Sequence, residues 1–323
     1  LLQDWTEDAA YIYRARYEPG REMISGHLFS RLSQTILMDN HVRGTIRGAV
    51  DLMRIGNAVA AGILTFTGAF VAGGLAVTAT HVIGAVAATI FAAAGGNAIN
   101  DYFDRTIDRI NRPMRPIPRG AISERGAVVF SGLLFIAAIA STMVLPVVAI
   151  ALAMVNLLAL VVYTELFKGL PGIGNAIVAY LTGSTFLFGA AAVTRVTDLG
   201  VVVLFTLAAL ATVTREIIKD IEDLDGDREE GLQTLPIVIG VIPAHRIATG
   251  VLLIAVTASA VPYMIGIFGI WYLTLVVPAD LIMLVGVWRA PNKPARGQQL
   301  LKRGMFLAAA AFVVGRAVVV TGI

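Results

Sequence analysis

Residues 78–108 read TATHVIGAVAATIFAAAGGNAINDYFDRTID. No Asp, Glu, Lys or Arg falls between Thr78 and Asn100. As a helix, that run is about 34 Å long, enough to cross a hydrocarbon core of about 30 Å. It does not alternate apolar and polar residues, as a strand of a membrane β-barrel must. At its end come three aspartates, Asp101, Asp104 and Asp108. An apolar helix that stops at a run of carboxylates predicts a membrane span with chemistry at one end.

The rest of the chain repeats the first half of that pattern. Of 323 residues, 57% are hydrophobic and only 15% charged, against about 25% charged in soluble domains. That excludes a nucleic-acid-binding protein, a secreted disulfide scaffold and a soluble enzyme with a small anchor. Cysteine is absent, which removes disulfides, thiolate metal sites and cysteine nucleophiles. Nine apolar segments can be drawn, at 55–75, 78–100, 126–145, 147–166, 175–194, 198–218, 246–267, 270–288 and 304–322. Pro146 marks the turn between the third and fourth. Pro171, Gly172 and Gly174 mark the next one. The sequence thus predicts an all-α polytopic membrane protein with nine transmembrane helices. Residues 51–323 form one transmembrane domain. Residues 1–50 are a polar extension of mixed charge, read as a peripheral helix or tail. The chain opens on Leu1, and Met23 and Met38 are candidate starts within the extension.

With nine spans, the N-terminus and the loops after the even-numbered spans share one side. Of the 25 basic residues, 23 fall on that side. Only Arg195 lies opposite, and Arg316 lies within the last span. The positive-inside bias makes that side cytoplasmic.

The acidic residues that carry information sit in two groups on this side. In the first, Asn100, Asp104 and Asp108 are spaced i, i+4, i+8, and Asp101 joins the last two at i+3 and i+7. In the second, Asp220, Asp223 and Asp227 are spaced i, i+3, i+7. If the spans continue as helices, each set shares one face. Like charges on one face repel by about 0.2–0.5 kcal/mol per exposed pair, so a counter-ion is expected. Hard divalent cations prefer oxygen ligands, and magnesium often combines one or two carboxylates with substrate phosphates. The two groups stand four spans apart, each at the cytoplasmic end of an even-numbered span. That match suggests an internal repeat whose two carboxylate faces look into one cavity, where they hold magnesium around a diphosphate. The plainer alternative, that they are only solvated interfacial acids, does not account for the match. Arg112, Arg115 and Arg119 follow in a proline-stiffened loop and read equally as phosphate clamps or as topology signal. Lys168 and Lys219 are similar candidates. Arg54, just before Asn57, reads equally as a snorkelling anchor or a ligand.

On these motifs the chain resembles the UbiA-type intramembrane prenyltransferases over roughly residues 50–323. Asn100-Asp101-x-x-Asp104-x-x-x-Asp108 is similar to the family's first Asp-rich motif, and Asp223-x-x-x-Asp227 to its second, extended here by Asp220. The resemblance implies a nine-helix bundle around a central cavity open to lipid, with magnesium binding a polyprenyl diphosphate. The flanks, with Arg-Pro-Ile-Pro-Arg-Gly-Ala-Ile-Ser at 115–123 and Thr234-Leu-Pro-Ile, are most similar to archaeal members. Those members transfer a geranylgeranyl group from its diphosphate to the sn-2 hydroxyl of geranylgeranylglyceryl phosphate in ether-lipid synthesis. Asp225 stands where they more often carry Glu.

The resemblance implies catalytic roles for Asp104, Asp108, Asp223 and Asp227. Magnesium ligation falls to Asn100, Asp104, Asp223 and Asp227, supported by Asp101, Asp108 and Asp220. Arg54, Asn57, Arg112, Arg115, Arg119, Lys168 and Lys219 are the candidates for binding substrate. The implied partners are geranylgeranyl diphosphate, a lipid-soluble acceptor and membrane lipids, with no nucleic acid and no obligatory protein partner. An aromatic quinone-precursor acceptor and a chlorophyll-synthase-like reaction are the alternative chemistries. A transporter is the non-enzyme alternative, but it predicts carboxylates at the midplane rather than the interface. Asp280 and Arg316 lie inside spans, where charge is costly; they are read either as a pair or with Arg316 snorkelling to the far interface, and neither is assigned to catalysis. Gly95, Gly96, Gly183, Gly189 and the alanines at 308–311 are read as close-packing positions. His81 reads as structural and His245 as a loop residue.

Overall fold

A computed structural model of the chain describes residues 44–73, 78–163, 167, 169–229 and 231–322, the side chains of 107 and 111 excepted. The chain divides into two compact units, Leu1–Gly48 and Ala49–Ile323. Everything below concerns the second. Among the described residues it is all helix.

Eight of the described helices are long and apolar enough to cross a membrane. They correspond to eight of the nine segments drawn from sequence. The remaining segment, 147–166, is a shorter apolar helix, Val147–Val162. In chain order the elements are α1 (Ile55–Gly73), α2 (Ala79–Phe103), α3 (Arg105–Asn111), α4 (Glu124–Thr142), α5 (Val147–Val162), α6 (Ile173–Ala192) and α7 (Leu199–Glu222). After them come α8 (Leu224–Glu229), α9 (Leu235–Ile239), α10 (Val241–Ala258), α11 (Val261–Met264), α12 (Ile270–Arg289) and α13 (Pro294–Thr321). Pro146 stands at the N-cap of α5, and Gly172, with φ of +74°, at that of α6, so both expected turns are present. A positive φ of this kind is where glycine is cheapest.

Several helices run past the apolar stretch that announced them. The last span, drawn at 304–322, begins ten residues earlier at Pro294. The seventh, drawn at 246–267, begins at Val241, which places His245 on α10 and not in a loop. There its Nε2 lies 3.0 Å from the Val287 carbonyl. Hydropathy ends where the membrane ends, whereas backbone hydrogen bonding continues until something caps it.

Packing follows residue size. α1 crosses α6 so closely that a Cβ on Gly68 would lie 2.1 Å from the Phe186 carbonyl, and one on Gly189 1.9 Å from that of Thr65. Only glycine permits that approach, which brings backbones together where no hydrophobic effect drives them. Gly183 likewise admits Phe205, and Gly304 admits Met283. α2 lies along α4, α7 along α6, α10 and α13, and α12 along α13. Large apolar side chains such as Ile83, Val147, Leu158 and Trp288 point outward and stay exposed, as suits a lipid-facing surface. Residues from eleven of these helices wall one cavity of about 1000 Å³.

Candidate active site

The two acidic groups are built alike. α2 runs to Phe103 and stops at Asp104 (φ −79°, ψ −1°), after which α3 begins. α7 runs to Glu222 and stops at Asp223 (φ −89°, ψ 7°), after which α8 begins. The turn is kept across each break. Asp104 N–H donates to Asn100 O at 2.9 Å and Asp108 N–H to Asp104 O at 2.8 Å. Asp223 N–H donates to Lys219 O and Asp227 N–H to Asp223 O, both at 2.9 Å. A long membrane helix, an aspartate at the break and a short helix thus occur twice, four spans apart.

Both breaks open onto the same cavity. Asn100, Asp104 and Asp108 line it from the first break, and Asp220, Asp223 and Asp227 from the second. Asn100 Nδ2 donates to Asp104 Oδ2 at 2.8 Å. Asp220 Oδ2 accepts from Asn175 Nδ2, on α6, at 2.8 Å. Arg54, Asn57, Arg112, Arg115 and Lys219 also line the cavity. Arg54 has a positive φ of 46°, a costly conformation for a non-glycine residue and one that collects at functional sites.

Two candidates are placed elsewhere. Asp101 is buried, 3% exposed, and does not line the cavity. It takes an ion pair from Arg54 and another from Arg115 Nη1 at 3.1 Å. Arg115 also reaches Asp108 Oδ2 at 2.5 Å. Asp101 therefore fixes two cavity arginines from behind instead of facing a ligand. Arg119 is turned away to Asp51, with Nη2–Oδ2 at 2.5 Å. Lys168 lies outside the described residues. The expected pairing of Asp280 with Arg316 is absent. Asp280 Oδ2 accepts from Ser259 Oγ at 2.6 Å, and Arg316 Nη2 donates to Ala72 O at 3.2 Å. A hydroxyl and a backbone carbonyl each take one of the two side chains, and the buried Nε of Arg316 has no partner among the described residues.

The structure adds residues that the sequence did not mark. Tyr163, just past α5, lines the cavity. Its phenol carries an O–H donor. Asn156, in the middle of α5, also lines the cavity, and its buried Oδ1 has no partner among the described residues. Asn175 holds Asp220 in place. A lone Asn in an apolar run, or a Tyr at a span end, carries no spacing signal, so only the fold reveals them.

Nine acidic side chains line the cavity against six basic ones. At formal charge that wall repels a diphosphate unless cations come with it. The acidic mouth offers hard oxygen donors, the set that suits magnesium. Among the described residues, no three His, Cys, Asp or Glu side chains are grouped to hold a metal by themselves. Oxygen donors spread over two groups fit an ion that completes its shell with phosphate oxygens and water. Deeper in, the lining turns apolar, with Leu64, Phe186, Leu204, Val276 and Phe312.

A membrane-embedded cavity with an acidic, oxygen-rich mouth and an apolar interior defines a multi-pass membrane enzyme acting on an amphiphile with an anionic head. The chain belongs to the UbiA prenyltransferase family, whose description matches residues 61–310. It is 84% identical over 286 residues to a digeranylgeranylglyceryl phosphate synthase of Haloquadratum walsbyi, covering 88% of this chain and all of that one. To the enzyme of the same name from Natronomonas pharaonis it is 59% identical over 276 residues, covering 85% and 99%. Among solved structures, a digeranylgeranylglyceryl phosphate synthase superposes with a TM-score of 0.73 at 36% identity, over 84% of this chain and 99% of that one. A UbiA homologue from Archaeoglobus fulgidus bound to DMAPP and Mg2+ shares the fold, with a TM-score of 0.64 at 17% identity over 82% and 99%.

Proposed function

We propose that this prenyltransferase moves a geranylgeranyl group from its diphosphate to the sn-2 hydroxyl of geranylgeranylglyceryl phosphate, with magnesium as cofactor. The observation that carries the donor half is the pair of aspartate breaks that line one cavity. The acceptor half is supported by the name that the relatives at 84% and 59% identity carry. Residues 51–323 form the catalytic domain in this reading. The distribution of basic residues puts the acidic mouth and the N-terminus on the cytoplasmic side.

Asn100, Asp104, Asp108, Asp220, Asp223 and Asp227 are the residues that would hold magnesium with the diphosphate. Bound there, magnesium supplies positive charge that offsets the leaving group as the allylic C–O bond breaks. Arg54, Arg112 and Arg115 line the same wall and bind diphosphate oxygens. Asp101 keeps two of these arginines aimed. Tyr163 donates its O–H toward the same anionic head. When the C–O bond breaks, the electron pair leaves with the diphosphate. The acceptor oxygen then bonds to the freed allylic carbon, and its proton passes to the departing diphosphate. The apolar interior excludes water, which would otherwise capture the cation as free alcohol.

A turnover assay on detergent-purified protein with magnesium and geranylgeranyl diphosphate tests this directly. Geranylgeranylglyceryl phosphate and 4-hydroxybenzoate are offered in parallel. Product from the glyceryl phosphate alone is expected. Product from the aromatic acid alone would move the enzyme to quinone-precursor prenylation.

A further inference from the structure

One wall of the cavity carries cations that the donor does not use. On α13, Lys302, Met305, Phe306, Ala309 and Phe312 all line the cavity, at the three- and four-residue steps of one helix face. Lys302 is exposed toward it, and no carboxylate among the described residues lies within ion-pairing distance. On α7, Arg215 also lines the cavity. Arg215 is bound to Glu216 through Nη1 and to Gln298 Oε1 through Nη2 at 2.9 Å. Its buried Nε has no partner among the described residues. Gln298, which also donates to Glu222 at 2.8 Å, precedes Lys302 by one turn of α13 and shares its face. The latch thus ties Arg215 to α13 one turn before the lysine.

This pair is separate from the donor's arginines, which come from the start of α1 and the loop after α3. Below Lys302 the same face becomes apolar, and residue 312 lies about 15 Å along the axis. Val276 and Met283 of α12 and Ala255 of α10 line the same cavity, as does Asp280, whose carboxylate accepts from Ser259 Oγ. A cation above an apolar stripe matches a phosphate head carrying an isoprenoid tail. We propose that Lys302, on the helix to which Arg215 is latched, binds the phosphate of the acceptor and makes the enzyme select phosphorylated over neutral glyceryl ethers. This rests on the glyceryl phosphate reading of the function.

The test crosses a substrate change with a residue change. Wild type, Lys302→Ala and Lys302→Arg are assayed with geranylgeranylglyceryl phosphate and with geranylgeranylglycerol, which lacks the phosphate. A hydrogen bond to a charged group makes Lys302→Ala raise the acceptor KM about 10- to 100-fold. The KM for geranylgeranyl diphosphate should stay the same, and Lys302→Arg should recover most of the loss. With the neutral acceptor, wild type and Lys302→Ala should be indistinguishable. Arg303, exposed and outside the cavity lining, is the control, and Arg303→Ala should change nothing. An equal loss with both acceptors, or a rise in the donor KM instead, overturns the assignment. If wild type turns over only the neutral or the aromatic acceptor, the functional reading itself fails, and this assignment falls with it.

Discussion

Replacing Asp101 by Asn removes a charge without changing shape, and it separates two roles that the spacing of the first motif leaves mixed. Asp101 is 3% exposed and pairs with Arg54 and Arg115, whose side chains are 32% and 16% exposed. Deleting one partner of a fully buried ion pair costs about 3–5 kcal/mol. Both arginines here keep some contact with water, which takes over part of the lost interaction, so about 1–3 kcal/mol is expected. Thermal unfolding in detergent should show a lowered Tm. Arg54 and Arg115 should also lose their aim, raising the donor KM by about tenfold, equivalent to about 1.4 kcal/mol. The magnesium concentration for half-maximal activity should not move, because the carboxylate faces the arginines and not the cavity. An unchanged Tm together with a large rise in the magnesium requirement would refute this. Asp101 would then be a metal ligand.

Gly189→Ala puts a Cβ 1.9 Å from Thr65 O and 2.7 Å from Ala69 N. It should cost about 1–3 kcal/mol or more as α1 and α6 are forced apart, seen as a lower Tm. Gly132→Ala, on α4 with nothing within 4 Å, should instead gain up to about 1 kcal/mol from helix propensity. Tyr163→Phe should lower turnover about 10- to 100-fold by removing a donor to a charged group, while expression and Tm hold. Unchanged turnover in Tyr163→Phe would contradict that role.

How far the sequence could be read depended on whether a feature repeated. The spans are legible because length and hydropathy report the same segments. The two aspartate groups are legible because their spacing and position recur. Within a group, spacing fails. Asp101 and Asp104 both satisfy helical intervals with Asp108, but the helix stops at Asp104 and Asp101 turns back to Arg54 and Arg115. In sequence Lys302 reads only as topology signal, because the apolar segment starts at residue 304 whereas α13 begins at Pro294. A lysine at a helix end looks the same in sequence whether it faces solvent or a cavity. Asn156, Tyr163 and Asn175 each stand alone in an apolar or interfacial run, so no periodicity distinguishes them from packing residues.

The central claim is that the two breaks, at Asp104 and Asp223, make a single site. The most direct measurement is magnesium-dependent turnover of Asp104→Asn, Asp223→Asn and the double variant, with membrane insertion checked alongside. One site acting as a unit predicts that each single change costs at least about 10²-fold. The double change should cost little more than either single one, because residues that act together are not additive. Full activity in either single variant, or losses that simply multiply in the double, would contradict a shared site.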